Sequence, residues 1–237
     1  MPNHTVVAYD QELKEIAGRI AEMGGMAEGL VADAITALVR GDTALAQRVI
    51  LSDARLDRLQ RVVEEQAVVI IAKRQPMALD LRQIFTAMRI SGDLERVGDL
   101  AKSIAKRVVA MGGAIQVKRV VIGVEHLSEI ALEQLKGVLD AYAARDSEVA
   151  MKVRERDEQI DALYTSLFRE LLTYMMEDPR NITFCTHLLF CAKNIERIGD
   201  HATNIAEAVH YLVTGEQLSD DRPKGNDAEQ MKLEGEA

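Results

Sequence analysis

The sequence predicts an all-α fold of two tandem three-helix bundles related by an internal repeat, and three observations predict it. The first is the repeat itself. "ERVGDLAKSIAK" from Glu95 returns as "ERIGDHATNIAE" from Glu196, with seven identities in twelve positions. The second is punctuation. Pro76 and Pro179 stand 103 residues apart, "RGD" at Arg40–Asp42 matches "RD" at Arg145–Asp146, and "MGGA" at Met111–Ala114 divides the halves. The third is composition: aromatics are 4%, Trp is absent, and apolar residues make up 48% of the 237. Few aromatics with much Ala, Leu, Val and Glu suit long helices.

The elements follow in order. Six helices are predicted, roughly over residues 6–40, 43–74, 78–110, 116–144, 147–177 and 181–214. The first and fourth carry Leu, Ile, Val, Ala and Met at three- and four-residue spacings. Asp42 and Asp146 are expected to be helix N-caps or first-turn acids of the second and fifth. The prolines need not lie inside any helix, and the short connections force antiparallel neighbours. At 1.5 Å per residue each helix is about 45–50 Å long. The domain reading is a first bundle over 1–112, a second over 113–215 and a disordered tail over 216–237, poor in apolar residues and rich in breakers. A single six-helix bundle is the alternative.

Charge and hydropathy narrow the function. The net charge of −9 argues against a nucleic-acid partner. No apolar run approaches a membrane span, and "MPNHTVVAYDQELKEI" lacks the order of a signal peptide. Cys185 and Cys191 sit six apart on one predicted helix, about 240° round, so they cannot bridge within it and are expected to be reduced thiols.

The repeated stretch carries the chemistry. Leu188, Ala192, Ile195, Gly199, Ala202, Ala206 and Val209 alternate four and three spacings, a seam of small and apolar residues. Glu196, Asp200, Thr203 and Glu207 follow the same spacing one residue later and form an acidic stripe beside the seam. In the first copy Glu95 and Asp99 occupy the stripe, but Lys102 and Lys106 replace Thr203 and Glu207, so any acidic site should differ between the halves. Like charges four apart are unfavourable on a bare helix, and writing them twice invites a cation. The second helix of each half adds Asp53 and Asp57, or Asp157 and Asp161, matched 104 apart. Such oxygen clusters suit hard cations. The plain alternative is pairing with Arg96, Arg197 or a neighbouring helix. Gly98 and Gly199 fit either close helix packing or close approach of an ion. His201 is expected to face solvent or a partner, and His187 to pack. Glu207 and His210 form a single E-x-x-H, whereas a di-iron carboxylate frame needs it twice. No Walker-type phosphate loop, G-x-S-x-G or C-x-x-C is present.

These motifs, with "RQPMALDLRQI" from Arg74 and "EDPRNITFCTHLLFCAKNIERIGDHATNIAE" from Glu177, resemble the PhoU family over about residues 6–214. The resemblance places that family's E(D)-x-x-x-D metal motif on Glu95/Asp99 and Glu196/Asp200, with Asp53, Asp57, Asp157 and Asp161 as its second-helix acids. It implies bound metal, divalent or ferric (iron, zinc, manganese or magnesium), and a homodimer. It also implies a cytoplasmic, non-catalytic regulator of phosphate homeostasis that reaches the inner membrane only through protein partners. Those partners are the ATPase of the high-affinity phosphate ABC transporter and a sensor histidine kinase held in its inhibitory state, which represses the phosphate-starvation response. Two other classes stay open: a carboxylate-cluster metalloenzyme and a metal-free helical adaptor.

Overall fold

The computed structural model describes residues 2–113 and 118–218, with backbone alone for residues 2–7, 118 and 119. Among these residues it is helical throughout, without a strand. The order is α1 (Pro2–Arg40), α2 (Thr43–Arg74), α3 (Leu79–Ala110), α4 (Lys118–Ala144), α5 (Ser147–Glu155), α6 (Asp157–Glu177), a 3-10 turn (Pro179–Asn181) and α7 (Ile182–Thr214). Helices α1–α3 make one three-helix bundle, and α4, the α5–α6 pair and α7 make the other. No helix among the described residues is long and apolar enough to cross a membrane. The tail expected to be disordered lies, from residue 219 on, outside the described residues.

The turns form for reasons written locally. Asp42 accepts a hydrogen bond from the Leu45 amide at 2.8 Å, and Asp146 accepts from the Glu148 and Val149 amides at 3.0 Å. The chain enters both caps through a left-handed residue, Gly41 at φ +66° and Arg145 at φ +53°. Gly41 is also required by space, because a Cβ there would run into the carbonyl oxygen of Gly113. Pro179 opens the 3-10 turn, where its missing N–H costs nothing, and Asp178 accepts from the Arg180 amide at 3.0 Å.

The predicted fifth helix is two helices. The chain breaks at Arg156, whose carbonyl oxygen accepts from the Gln159 amide at 3.1 Å and from Gln134 Nε2 of α4 at 2.9 Å. Its counterpart α2 runs unbroken, so the two halves do not correspond helix for helix.

The core follows the predicted seams. Leu188, Ala192, Ile195, Ala202, Ala206 and Val209 are fully buried, as are Leu94, Ala101 and Ala105. The buried side chains form one cluster running through both bundles. Helices α3 and α7 pack antiparallel and join the halves. His201 Nδ1 meets Asp93 Oδ1 at 2.9 Å near one end, while the Arg107 guanidinium covers the Phe190 ring at 4.0 Å near the other. Helices α1 and α4 make a second contact between the bundles. His201 therefore faces the other bundle, not solvent. Its 16% side-chain exposure follows from the α3–α7 packing, which one helix's periodicity does not contain. Cys185 and Cys191 are buried and unbridged, and burial pushes the Cys191 thiol up to about 12.

Candidate functional site

The acid stripes lie where the second and third helices of each bundle meet. In the first bundle Asp53 is 1% exposed, with Asp57, Glu95 and Asp99 half-buried around it. Desolvation pushes the Asp53 carboxyl up, opposed by Lys102, while Asp57 and Asp99 push it further up. Glu95 is raised by desolvation and then by Asp99. Lys102 already stands among these charges. Its Nζ lies 2.5 Å from Asp53 Oδ2 and 3.6 Å from Asp99 Oδ1, and the Asp53 bond holds its ammonium above the ordinary lysine range. Arg96 sits at the limit of pairing, 3.6 Å from Glu95 and 3.7 Å from Asp99. The resident cation of the first stripe is thus a lysine, at one of the two positions where the repeat departs from itself.

The second bundle gathers Asp161, Glu196 and Asp200. Glu196 is buried and raised by desolvation, opposed by its bond to Lys193 at 2.7 Å and reinforced by Asp200 and Asp161. Asp161 is raised by desolvation and by Asp200. Asp157 opens α6 directly after the break, one turn before Asp161. Thr203 replaces Lys102 here, so no ammonium enters from inside the stripe; Lys193 comes from the rim, 47% exposed. Glu196 Oε2, Thr203 Oγ1 and Gln134 Oε1 are buried without a hydrogen-bond partner, as are Asp53 Oδ1 and Asp57 Oδ1 in the first bundle. Buried acceptors of this kind are costly unless something donates to or coordinates them.

The two motif glycines are packing devices. A Cβ on Gly98 would meet Leu56 Cδ2, and one on Gly199 would lie 2.7 Å from Ile160 Cδ1. Leu56 and Ile160 hold matching places on α2 and α6, so each glycine lets the acid-bearing helices close together. The E-x-x-H does not act as a unit. Glu207 accepts from Arg154 Nε at 3.3 Å, and His210 Nδ1 faces Ser147 Oγ at 3.4 Å. Among the described residues no three His, Cys, Asp or Glu side chains are gathered tightly enough, as placed, to hold an ion; Lys102 pairs with Asp53 and Asp99 of its stripe, and Lys193 with Glu196 of the other. Lys193 and Gln134 are the site residues that stripe reasoning passed over. Gln134 had a signal: it is the polar residue among the apolar positions Leu127, Ala131, Leu135 and Val138 of α4.

Known proteins share this fold. The family model described as the PhoU domain matches twice, over residues 20–108 and 124–209. The chain is 63% identical over 221 residues to a phosphate-specific transport system accessory protein PhoU homolog of Rhizobium meliloti (strain 1021), covering 93% of each. A protein of the same description from Caulobacter vibrioides (strain NA1000 / CB15N) is 50% identical over 94% of this chain and 97% of its own length. The crystal structure of PhoU from Pseudomonas aeruginosa superposes with a TM-score of 0.85 at 38% identity, over 88% of this chain and all 100% of that one. A phosphate transport system regulatory protein PhoU from Streptococcus pneumoniae gives 0.81 at 28% identity, over 89% of this chain and 99% of that one.

Proposed function

The chain belongs to the PhoU family, and from that premise we propose that it is a non-catalytic regulator of phosphate homeostasis, coupling a high-affinity phosphate ABC transporter to a sensor histidine kinase. One observation carries the reading: the likeness to a transport-system accessory protein extends over 93% of both chains and takes in both motif copies. In this reading the protein works by binding, on long bundle faces, in the cytoplasm, as a homodimer. Its partners at high phosphate are the transporter's ATPase and the kinase. Affinity capture of the full chain from phosphate-replete cells tests the partnership. Recovery of both partners is expected; recovery of neither sinks the coupling role.

The stripes are proposed to take a metal cation, and the two halves fit one unequally. The second bundle offers Asp161, Glu196 and Asp200, with Asp157 a turn away, three unpartnered buried oxygens and no inner ammonium. The first offers Asp53, Asp57, Glu95 and Asp99, but an ion there has to displace Lys102. When bound, the cation neutralises facing carboxylates and ties the helices that carry them, an oxygen site suited to iron, manganese, magnesium or, less typically, zinc. Metal content of protein purified without chelator should therefore fall most in Glu196→Gln/Asp200→Asn and rise in Lys102→Ala. Equal content in both variants and in the parent protein would leave lysine pairing, and the metal-free adaptor, as the better account.

A further inference from the structure

A cleft of about 250 Å³ opens between α3 and α7, lined by Arg96, Lys102, Ser103, Lys106, Asn194 and Arg197, with Leu100 at its wall. Four cations face a single lining carboxylate, Asp99, in a chain whose net charge is −9. Asp99 is already shared between Arg96 and Lys102, at 3.7 and 3.6 Å. Lys106 and Arg197 have no ion pair with any described residue, and the side chains of Ser103 and Asn194 have no hydrogen bond with one. Unspent cations and neutral donors thus converge from two rigid helices.

The internal repeat shows what is missing. A shift of 101 residues, the one relating Glu95 to Glu196, carries Asp93 onto Asn194, Ser103 onto Asn204 and Lys106 onto Glu207. The opposite corner of the same helix pair is therefore this cleft's pseudo-symmetric mate. There Asp93 supplies an internal anion, bound by His201 Nδ1 at 2.9 Å and Asn204 Nδ2 at 3.3 Å. In the cleft the aspartate has become Asn194 and the acidic Glu207 has become Lys106. The mate corner carries its own carboxylate; the cleft has lost that carboxylate and gained a cation.

We propose that this α3–α7 cleft is a binding site for a phosphate dianion, free or as the terminal group of a small monoester. Arg197 and Lys106 supply the charge, Arg96 closes the near side, and the Ser103 hydroxyl and Asn194 amide donate neutral hydrogen bonds. Guanidinium and ammonium donors to phosphate oxygens are among the stronger charge-assisted pairs. Because one wall belongs to each bundle, a bound dianion bridges the two halves. The site borders the first acid stripe, sharing Asp99 and Lys102 with it, but rests on neither the metal nor the partner reading.

The test is calorimetry on the full-length protein in the presence of EDTA, with inorganic phosphate, AMP and sulfate titrated in turn. Saturable binding of phosphate or AMP is expected at up to millimolar ligand, with the tighter of the two naming the source. Asn194→Asp reinstates the carboxylate found at the mate corner and should weaken binding about tenfold or more. Lys106→Ala/Arg197→Ala should do the same, with far-UV circular dichroism and Tm unchanged in both variants. Arg55→Ala, remote from the cleft, should bind as the parent does. Absence of saturable binding in EDTA, or Asn194→Asp binding as tightly as the parent, would overturn the proposal.

Discussion

Gly98 and Gly92 share one helix and meet opposite surroundings, which makes them a controlled pair. A Cβ on Gly92 meets nothing within 4 Å, whereas on Gly98 it meets Leu56 Cδ2 and, at 3.1 Å, Asp53 Oδ1. Gly92→Ala should therefore stabilise the protein by about 0.5–1 kcal/mol through helix propensity. Gly98→Ala gains the same propensity but overpacks a buried contact, at a cost of about 1–3 kcal/mol, and should be the less stable of the two in urea unfolding. Equal stability would mean that Leu56 yields freely and that the glycine is not there for packing. At this scale the sequence was partly legible. The glycine stood out as small and one turn from the acid, yet choosing between packing and ion approach required knowing which side chain faces it. Lys102 was visible as a departure within the repeat. Its bond to Asp53 was not, because the two lie 49 residues apart on different helices.

Among the elements, the break between α5 and α6 is the clearest departure from expectation. "VRERDEQID" contains only helix-compatible residues, with neither Gly nor Pro, so local propensity predicts continuity. The break is held from outside, by the buried Gln134 amide of α4 donating to the Arg156 carbonyl. Propensity reasoning cannot see a partner on another helix, although a glutamine inside an apolar stripe is a mark of one. Gln134→Leu should remove one of the two donors to that carbonyl, leaving the Gln159 amide at 3.1 Å, at a cost of about 0.5–1.5 kcal/mol. Hydrogen–deuterium exchange should then show faster amides over residues 155–158 with α7 unchanged. Unaltered exchange there would mean that the break is intrinsic to the segment. The other helix ends were readable, since Asp42 and Asp146 cap where an acid before an apolar run has to cap.

For the whole molecule, two bundles follow from the repeat and the spacing of turns, but their mode of joining does not. The α3–α7 packing that turns His201 onto Asp93, and the α1–α4 contact, are decided by faces that each helix presents equally well to solvent in a one-dimensional reading. The α1–α4 contact carries a titratable signature. Glu28 is pushed above the usual carboxylate range by desolvation, with Asp140 adding to it and Lys136 opposing. The folded state holds that proton more tightly than the unfolded chain. The contribution is therefore fully present below the ordinary Glu value and is lost as pH rises through the raised folded value. Glu28→Gln, neutral at every pH, should raise Tm at pH 8 and leave it unchanged at pH 4; a gain equal at both would assign the effect to packing. The central claim concerns what the joined bundles do in the cell, and the most direct measurement is a phosphatase reporter in a deletion strain grown at high phosphate. Derepression, restored to repression by the intact chain, is the predicted result. Repression unchanged by the deletion, in a genome without a second copy, would contradict the regulatory role.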